Sequence, residues 1–130
     1  MINLNKKRFI PGIAWFFIVS VLLLLPGSDL PTPSPWFQFP YFDKFVHATL
    51  FAIQAFLFIW PARLITTDKP QLNKWLIAIV LANIEWGFIT ELLQLLVPGR
   101  SFDLTDWAAD ILGSFIAYFF ARIFLLKNVS

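Results

Sequence analysis

Four long apolar runs, separated by short polar or proline-rich segments, constrain the fold of this chain more than any other feature. The runs are residues 9–25, 42–60, 75–97 and 107–126. A helix needs about 20 predominantly apolar residues to cross about 30 Å of hydrocarbon, and each run is close to that length. Because backbone polar groups in lipid must be satisfied within the structure itself, we predict an all-α membrane protein with four transmembrane helices.

The composition supports this class and excludes several others. Of the 130 residues, 58% are hydrophobic and 14% are charged, whereas a soluble domain carries about 25% charged residues. A chain this short cannot bury so many apolar side chains in a soluble core. The absence of cysteine excludes a disulfide framework, a thiol nucleophile and a cysteine-based zinc site. We predict a single domain over residues 1–130.

The basic residues predict the orientation in the membrane. Eight of the ten Lys and Arg residues precede the first run, separate the second from the third, or lie at the end of the fourth. By the positive-inside rule, both termini are therefore cytoplasmic and the protein is placed in the cytoplasmic membrane of the cell. The first run has no Ala-x-Ala-like cleavage site at its end, so we expect a retained span. Basic residues scattered over span ends do not form a nucleic-acid footprint.

Polar residues recur at helical spacing near the outer ends of the last three runs. Asp43 and His47 are four residues apart, as are Asp106 and Asp110, and such pairs share one face of a helix. Polar faces in a bilayer must turn toward one another, because exposure to hydrocarbon is costly. The sequence therefore predicts one binding pocket in the outer leaflet, formed by Asp43, Lys44, His47, Glu91, Gln94, Arg100, Asp103, Asp106 and Asp110.

Simpler explanations exist for the individual residues. His47 could pair with Asp43 at the start of a helix. Arg100 could neutralise Asp103 or Glu91, as a buried carboxylate requires. Close packing or interhelical hydrogen bonding accounts for Gly87, Gly113, Gln54 and Asn83. These explanations do not account for the collection of so many ionisable groups at one depth, which favours a functional pocket.

The spaced motif Asp43-Lys44-x-x-His47, Glu91-x-x-Gln94 and Arg100-x-x-Asp103-x-x-Asp106, followed by Gly113, resembles the VanZ-like family of small bacterial membrane proteins. The resemblance covers about Asp43 to Gly113. This chain has Asp110 where the family commonly has asparagine, which adds a carboxylate to the pocket. The resemblance implies a multi-span envelope protein linked to reduced susceptibility to glycopeptide antibiotics such as teicoplanin.

The first of three functions that stay open at this point is non-enzymatic binding. The pocket would take an envelope lipid, a lipid-linked cell-wall precursor or a glycopeptide, and Arg100 would contact its phosphate or carboxylate. The partners would be membrane lipids, and a homo-oligomer is an open alternative.

The second function is an intramembrane hydrolase or transferase acting on a lipid-linked substrate. Its catalytic candidates are His47, Glu91 and Asp106, with His47 as general acid or base oriented by Asp43. No cofactor is predicted. One histidine with carboxylates would suit a hard divalent cation, but no spacing requires one. The third function is a small oligomeric transporter that uses Glu85 and Glu91 at two depths.

Overall fold

A computed structural model describes residues 6–125 and 127 of the chain. It contains four α-helices: α1 (Ile10–Leu24), α2 (Phe42–Ala62), α3 (Lys69–Gln94) and α4 (Leu104–Leu125). Short 3-10 turns precede α1 and interrupt the α1–α2 connection, and the described residues include no strand. All four helices, α1 together with the turn before it, are long and apolar enough to cross a membrane. The prediction of an all-helical chain with four helices long and apolar enough to span a membrane is confirmed for the described residues.

The third helix begins six residues before its apolar run, at Lys69. The side chain of Asp68 caps it by accepting a hydrogen bond from the backbone N–H of Gln71 at 2.9 Å, so the polar first turn joins the helix. At its other end α3 stops at Gln94, and a turn leads to Gly99, whose φ of 72° favours glycine. Both differences from the predicted run of 75–97 arise because capping and turn residues, not hydrophobicity, decide where a helix ends.

The fourth helix likewise begins earlier than its apolar run, at Leu104. Oδ1 of Asp103 accepts hydrogen bonds from the backbone N–H and the hydroxyl of Thr105, at 2.8 and 2.6 Å. Asp103 thus satisfies a backbone donor of the first turn that has no partner inside the helix. This cap lies beside the polar residues of α2, so the start of α4 is part of the candidate site.

The helices alternate in direction, and α2 and α4 run parallel to each other. Lys44 of α2 contacts Asp106 at the start of α4, while Tyr118 late in α4 donates a hydrogen bond to Asn73 early in α3. We call the end at which α1 and α3 finish and α2 and α4 begin the upper end. The polar segments of α2, α3 and α4 therefore lie at one level, near the upper end.

Two glycines permit close approach at this level, as predicted. A Cβ at Gly113 of α4 would overlap the carbonyl oxygen of Ala48 in α2. A Cβ at Gly87 of α3 would lie 2.8 Å from Oδ2 of Asp110. Small residues at helix contacts are the usual means of close packing in membranes. Here they allow α2 and α4 to touch through their backbones and allow a carboxylate to lie against α3.

A layer of hydrogen bonds separates the upper end from an apolar lower half. Gln54 donates to Oδ1 of Asn83 at 2.7 Å, and the Asn83 amide donates to Ser114 Oγ at 2.7 Å and to the Phe51 carbonyl at 3.0 Å. The predicted interhelical role of Gln54 and Asn83 is confirmed. Below this layer the core consists of Ala55, Ile59, Leu72, Leu76, Val80, Ala117, Ala121 and Leu125.

Candidate functional site

The Lys44 ammonium holds together three acidic residues at the upper end. Its Nζ lies 2.6 Å from Asp43, 2.7 Å from Asp103 and 2.5 Å from Asp106. These contacts link α2 to the α3–α4 connection and to the first turn of α4. The hydrogen bond from Lys44, supported by Thr105, holds the pKa of Asp103 well below its usual range. Lys44 therefore links α2 to the start of α4 and is also the cation of the site.

His47 lies one turn deeper than Asp43 and contacts two carboxylates of α4. Its Nδ1 is 2.9 Å from Oδ1 of Asp110, and its Nε2 is 3.8 Å from Oδ2 of Asp106. Both His47 and Asp110 are buried. The predicted pairing of His47 with Asp43 is wrong: Asp43 is 60% exposed and bonds to Lys44, while the imidazole turns inward toward α4.

Glu91 supplies the contribution of α3 and is fully buried. Its Oε2 accepts a hydrogen bond from the backbone N–H of Asp103 at 3.0 Å. Its Oε1 has no hydrogen-bond partner among the described residues, and the same is true of Oδ2 of Asp110. Buried polar atoms without a partner are costly and rare. Oδ2 of Asp110 lies against Gly87 of α3, whereas the free Oε1 of Glu91 marks a place for a further donor or a cation.

Two predicted members of the pocket lie elsewhere. Arg100 donates from Nε to the carbonyl of Leu25 at 3.0 Å and from Nη2 to that of Leu22 at 3.2 Å. Gln94 donates to the carbonyl of Leu23 at 3.1 Å. Both side chains thus satisfy the last carbonyls of α1, which lack partners inside the helix. The predicted pairing of Arg100 with Asp103 or Glu91 is wrong. We call the other seven predicted residues the polar cluster: Asp43, Lys44, His47, Glu91, Asp103, Asp106 and Asp110.

A groove on the outer surface between α2 and α4 was not predicted from the sequence. It has a volume of about 540 Å³ and begins at Tyr41 and Lys44. Its walls are Tyr41, Lys44, Phe45, Ala48, Thr49, Ala52, Ile53, Ala109, Leu112 and Ile116. The signal that could have found it is the small residues Ala48 and Ala52, four apart on α2, opposite Ala109. The groove is apolar along its length and meets the polar cluster at Lys44.

A second apolar groove, of about 530 Å³, lies beside the first and involves the aromatic segment before α2. Phe45 and Thr49 belong to the walls of both grooves. The remaining wall residues are Phe37, Phe39, Phe42, Val46 and Leu50. The start of α2 is therefore flanked by two apolar grooves, of which the first meets the polar cluster at Lys44.

Within the part of the chain that the structure describes, two sets of three residues have ligand atoms close enough together for a metal ion. His47, Glu91 and Asp106 each offer one atom within 4.8 Å of the others, as do Asp43, Asp103 and Asp106. In the second set the ammonium of Lys44 already contacts all three carboxylates. Only the first set therefore has a position for a cation that Lys44 does not already occupy.

The fold and the cluster define a four-helix membrane protein with buried ionisable groups at one end. The chain belongs to the family described as VanZ/LLP1, which matches residues 2–125. The family resemblance given by the spaced motif is confirmed, and the match extends beyond the motif to the first span and the end of α4. Neither the comparison with curated proteins nor that with solved structures finds a match.

Proposed function

We propose that this protein binds an envelope amphiphile, with the polar head at the cluster and an acyl chain in the α2–α4 groove. One observation carries the proposal: Lys44 is at once the cation of the cluster and a wall of the groove. A ligand that lies along this path needs a polar end and an apolar tail, which is the chemistry of an amphiphile. Binding sites of this kind combine an apolar wall with a few polar groups that fix orientation.

The distribution of basic residues supports an outward-facing site. Of the ten Lys and Arg residues only Lys44 and Arg100 belong to the upper end. The positive-inside rule then assigns the upper end to the extracytoplasmic side of the cytoplasmic membrane. The ligand would enter from the outer leaflet, where envelope lipids and lipid-linked cell-wall precursors are found.

The charge of the cluster indicates which heads suit it. Five carboxylates surround one ammonium and one imidazole, and Arg100 contributes nothing to them. An excess of acceptors favours a head that carries ammonium or hydroxyl donors and disfavours a bare phosphate. We therefore propose an amine-bearing membrane lipid as the ligand. A lipid-linked precursor and a glycopeptide are the alternatives.

The groove is tested by filling it with a large side chain. Ala52→Trp is expected to reduce retention of phosphatidylethanolamine about tenfold, because the indole occupies the volume of the acyl chain. Native mass spectrometry of the purified protein, exchanged from mixed-lipid vesicles into detergent, measures the retained lipid. Ala78→Trp is the matched control, since Ala78 is an exposed residue of α3 outside the groove. Equal retention by the parent and Ala52→Trp would contradict the proposal.

The resistance theme of the family is tested separately in cells. His47→Ala and Glu91→Gln, at membrane levels equal to the parent, are expected to abolish any protection against teicoplanin that the parent confers. The reason is that His47→Ala removes a buried imidazole from the proposed head site and Glu91→Gln replaces a buried carboxylate with a neutral amide. Growth of a susceptible host over a range of teicoplanin concentrations measures the effect. Full protection by both variants would separate resistance from the cluster, and no protection by the parent would detach this chain from resistance.

One observation favours an intramembrane hydrolase or transferase as the second candidate. His47 contacts Asp110 through Nδ1 and faces Asp106 through Nε2, an arrangement that suits a general acid or base with an orienting carboxylate. In this candidate Asp110, not Asp43, is the orienting group. Product formation from a lipid-linked substrate, lost in His47→Ala, would favour it over binding alone. The transporter gains no such support, because Glu85 is exposed on α3 whereas Glu91 is buried.

A further inference from the structure

We infer that His47, Glu91 and Asp106 form a site for one divalent first-row metal ion with mixed nitrogen and oxygen preference, such as Mn²⁺ or Zn²⁺. Imidazole and carboxylate are ligands that these ions share. The inference concerns the same cluster as the proposed head site but does not depend on amphiphile binding. It adds a bound ion at the base of that site.

The first argument is the orientation of the imidazole. With Nδ1–H donated to Oδ1 of Asp110 at 2.9 Å, Nε2 presents a lone pair toward Oδ2 of Asp106 at 3.8 Å. In this tautomer two acceptors face each other across a partly buried gap, and a proton or a metal ion between them would remove the repulsion. A metal-bound histidine usually donates a hydrogen bond from its other ring nitrogen to a carboxylate. This hydrogen bond fixes the orientation of the ring and raises the basicity of the nitrogen that binds the metal.

The second argument is the free oxygen of Glu91. This residue is fully buried, its Oε2 is held by the Asp103 backbone, and its Oε1 lacks a hydrogen-bond partner among the described residues. Glu91 nevertheless offers an oxygen within 4.8 Å of the ligand atoms of His47 and Asp106. Metal–ligand bonds of about 2.1 Å allow at most about 4.2 Å between two ligand atoms, so the three atoms would move closer together around a common ion.

The third argument is the contrast with the neighbouring acidic set. There the Lys44 ammonium contacts Asp43, Asp103 and Oδ1 of Asp106 within 2.7 Å. The protein thus supplies its own cation to one face of Asp106. It leaves the other face, Oδ2, opposite the imidazole of His47. Glu91, a fully buried carboxylate with an unpartnered oxygen, belongs to the set with His47 and Asp106, which indicates that the second cation comes from outside the chain.

The test is direct metal binding by the full-length protein in a neutral detergent after removal of bound ions with a chelator. Titration with Mn²⁺, and in parallel with Zn²⁺, is expected to give one tight site in the parent. His47→Gln and Glu91→Gln should each raise the Kd by about 100-fold or more, since loss of even a supporting residue costs 10–100-fold. Glu85→Gln is the matched control and should bind normally, because Glu85 is exposed on α3 and belongs to neither set.

A spectroscopic measurement keeps the inference falsifiable if a variant does not fold. Pulsed electron paramagnetic resonance of the Mn²⁺-loaded parent is expected to show nitrogen coupling from one imidazole. The inference is overturned if the parent binds neither ion, if the coupling is absent, or if Glu85→Gln weakens binding as much as Glu91→Gln. The groove variant Ala52→Trp is expected to bind Mn²⁺ like the parent, so failure of the metal site and failure of the amphiphile site are distinguishable.

Discussion

Gly113→Ala is expected to lower the free energy of unfolding by about 3 kcal/mol or more, the upper part of the range for overpacked sites. The new Cβ would overlap the carbonyl oxygen of Ala48 and lie 2.8 Å from its carbonyl carbon. A backbone carbonyl cannot rotate aside as a long side chain can, so α2 and α4 must separate. Alanine gains about 1 kcal/mol of helix propensity over glycine, which does not offset the overlap. The thermal unfolding midpoint in detergent measures the loss.

Separation of α2 and α4 would also disturb the polar cluster, since Lys44 and His47 reach α4 across this contact. Gly12→Ala is the matched control on α1. There a Cβ would lie 3.3 Å from the carbonyl of Leu57 and 3.4 Å from the ring of Phe58, which can shift. We expect a change below about 1 kcal/mol in this control. Similar midpoints for the two variants would contradict the close backbone contact at Gly113.

Lys44→Met is expected to lower the free energy of unfolding by about 2–3 kcal/mol near neutral pH. Removing one partner of a fully buried ion pair costs about 3–5 kcal/mol, and the effect here is smaller because Lys44, Asp103 and Asp43 retain 21%, 40% and 60% exposure. Methionine keeps most of the aliphatic stem but leaves three carboxylates facing one another. Chemical unfolding in detergent at neutral pH measures the difference from the parent. A variant as stable as the parent would show that the three contacts contribute nothing net.

The pH dependence of this difference follows from Asp103. Lys44 lowers the pKa of Asp103 in the folded protein below the ordinary 3.8, so the unfolded chain binds its proton first. Stability from this pair is fully present above pH 3.8 and is lost as the pH falls toward the folded-state pKa. Lys44→Met lacks this contribution, so the stability gap between parent and variant should narrow below pH 3.8. If the stability difference between the parent and Lys44→Met stayed constant below pH 3.8, the pH dependence would not come from Asp103.

The same contacts explain why the cluster suits binding at a membrane boundary. Lys44 ties together the exposed Asp43, the cap of α4 and the groove, while His47, Glu91 and Asp110 lie deeper and are buried. A head group would meet the upper residues first. The deeper residues keep free acceptor atoms that no described residue satisfies. The proposed amphiphile and the inferred metal ion would therefore occupy successive levels of one site.

The sequence alone determined the class of the protein, the number of spans and most of the ionisable cluster. Apolar run length is set by the thickness of the hydrocarbon, and helical spacing of three and four places residues on one face, so both can be read without a structure. The motif from Asp43 to Gly113 also identified the family that the match to residues 2–125 confirms. The close helix contacts at Gly87 and Gly113 were predictable because small residues mediate helix packing in lipid.

The tertiary structure decided which partners these residues have. Spacing places His47 and Asp43 on one helix face. Because of the rotation of α2 relative to α4, however, the imidazole contacts Asp110, and Asp43 contacts Lys44. Arg100 turns to the end of α1 because unsatisfied carbonyls there lie within its reach. Pairing between helices depends on their relative rotation and distance, which no single helix encodes. The groove between α2 and α4 has the same origin, since it is the space that remains when two helices meet at Gly113.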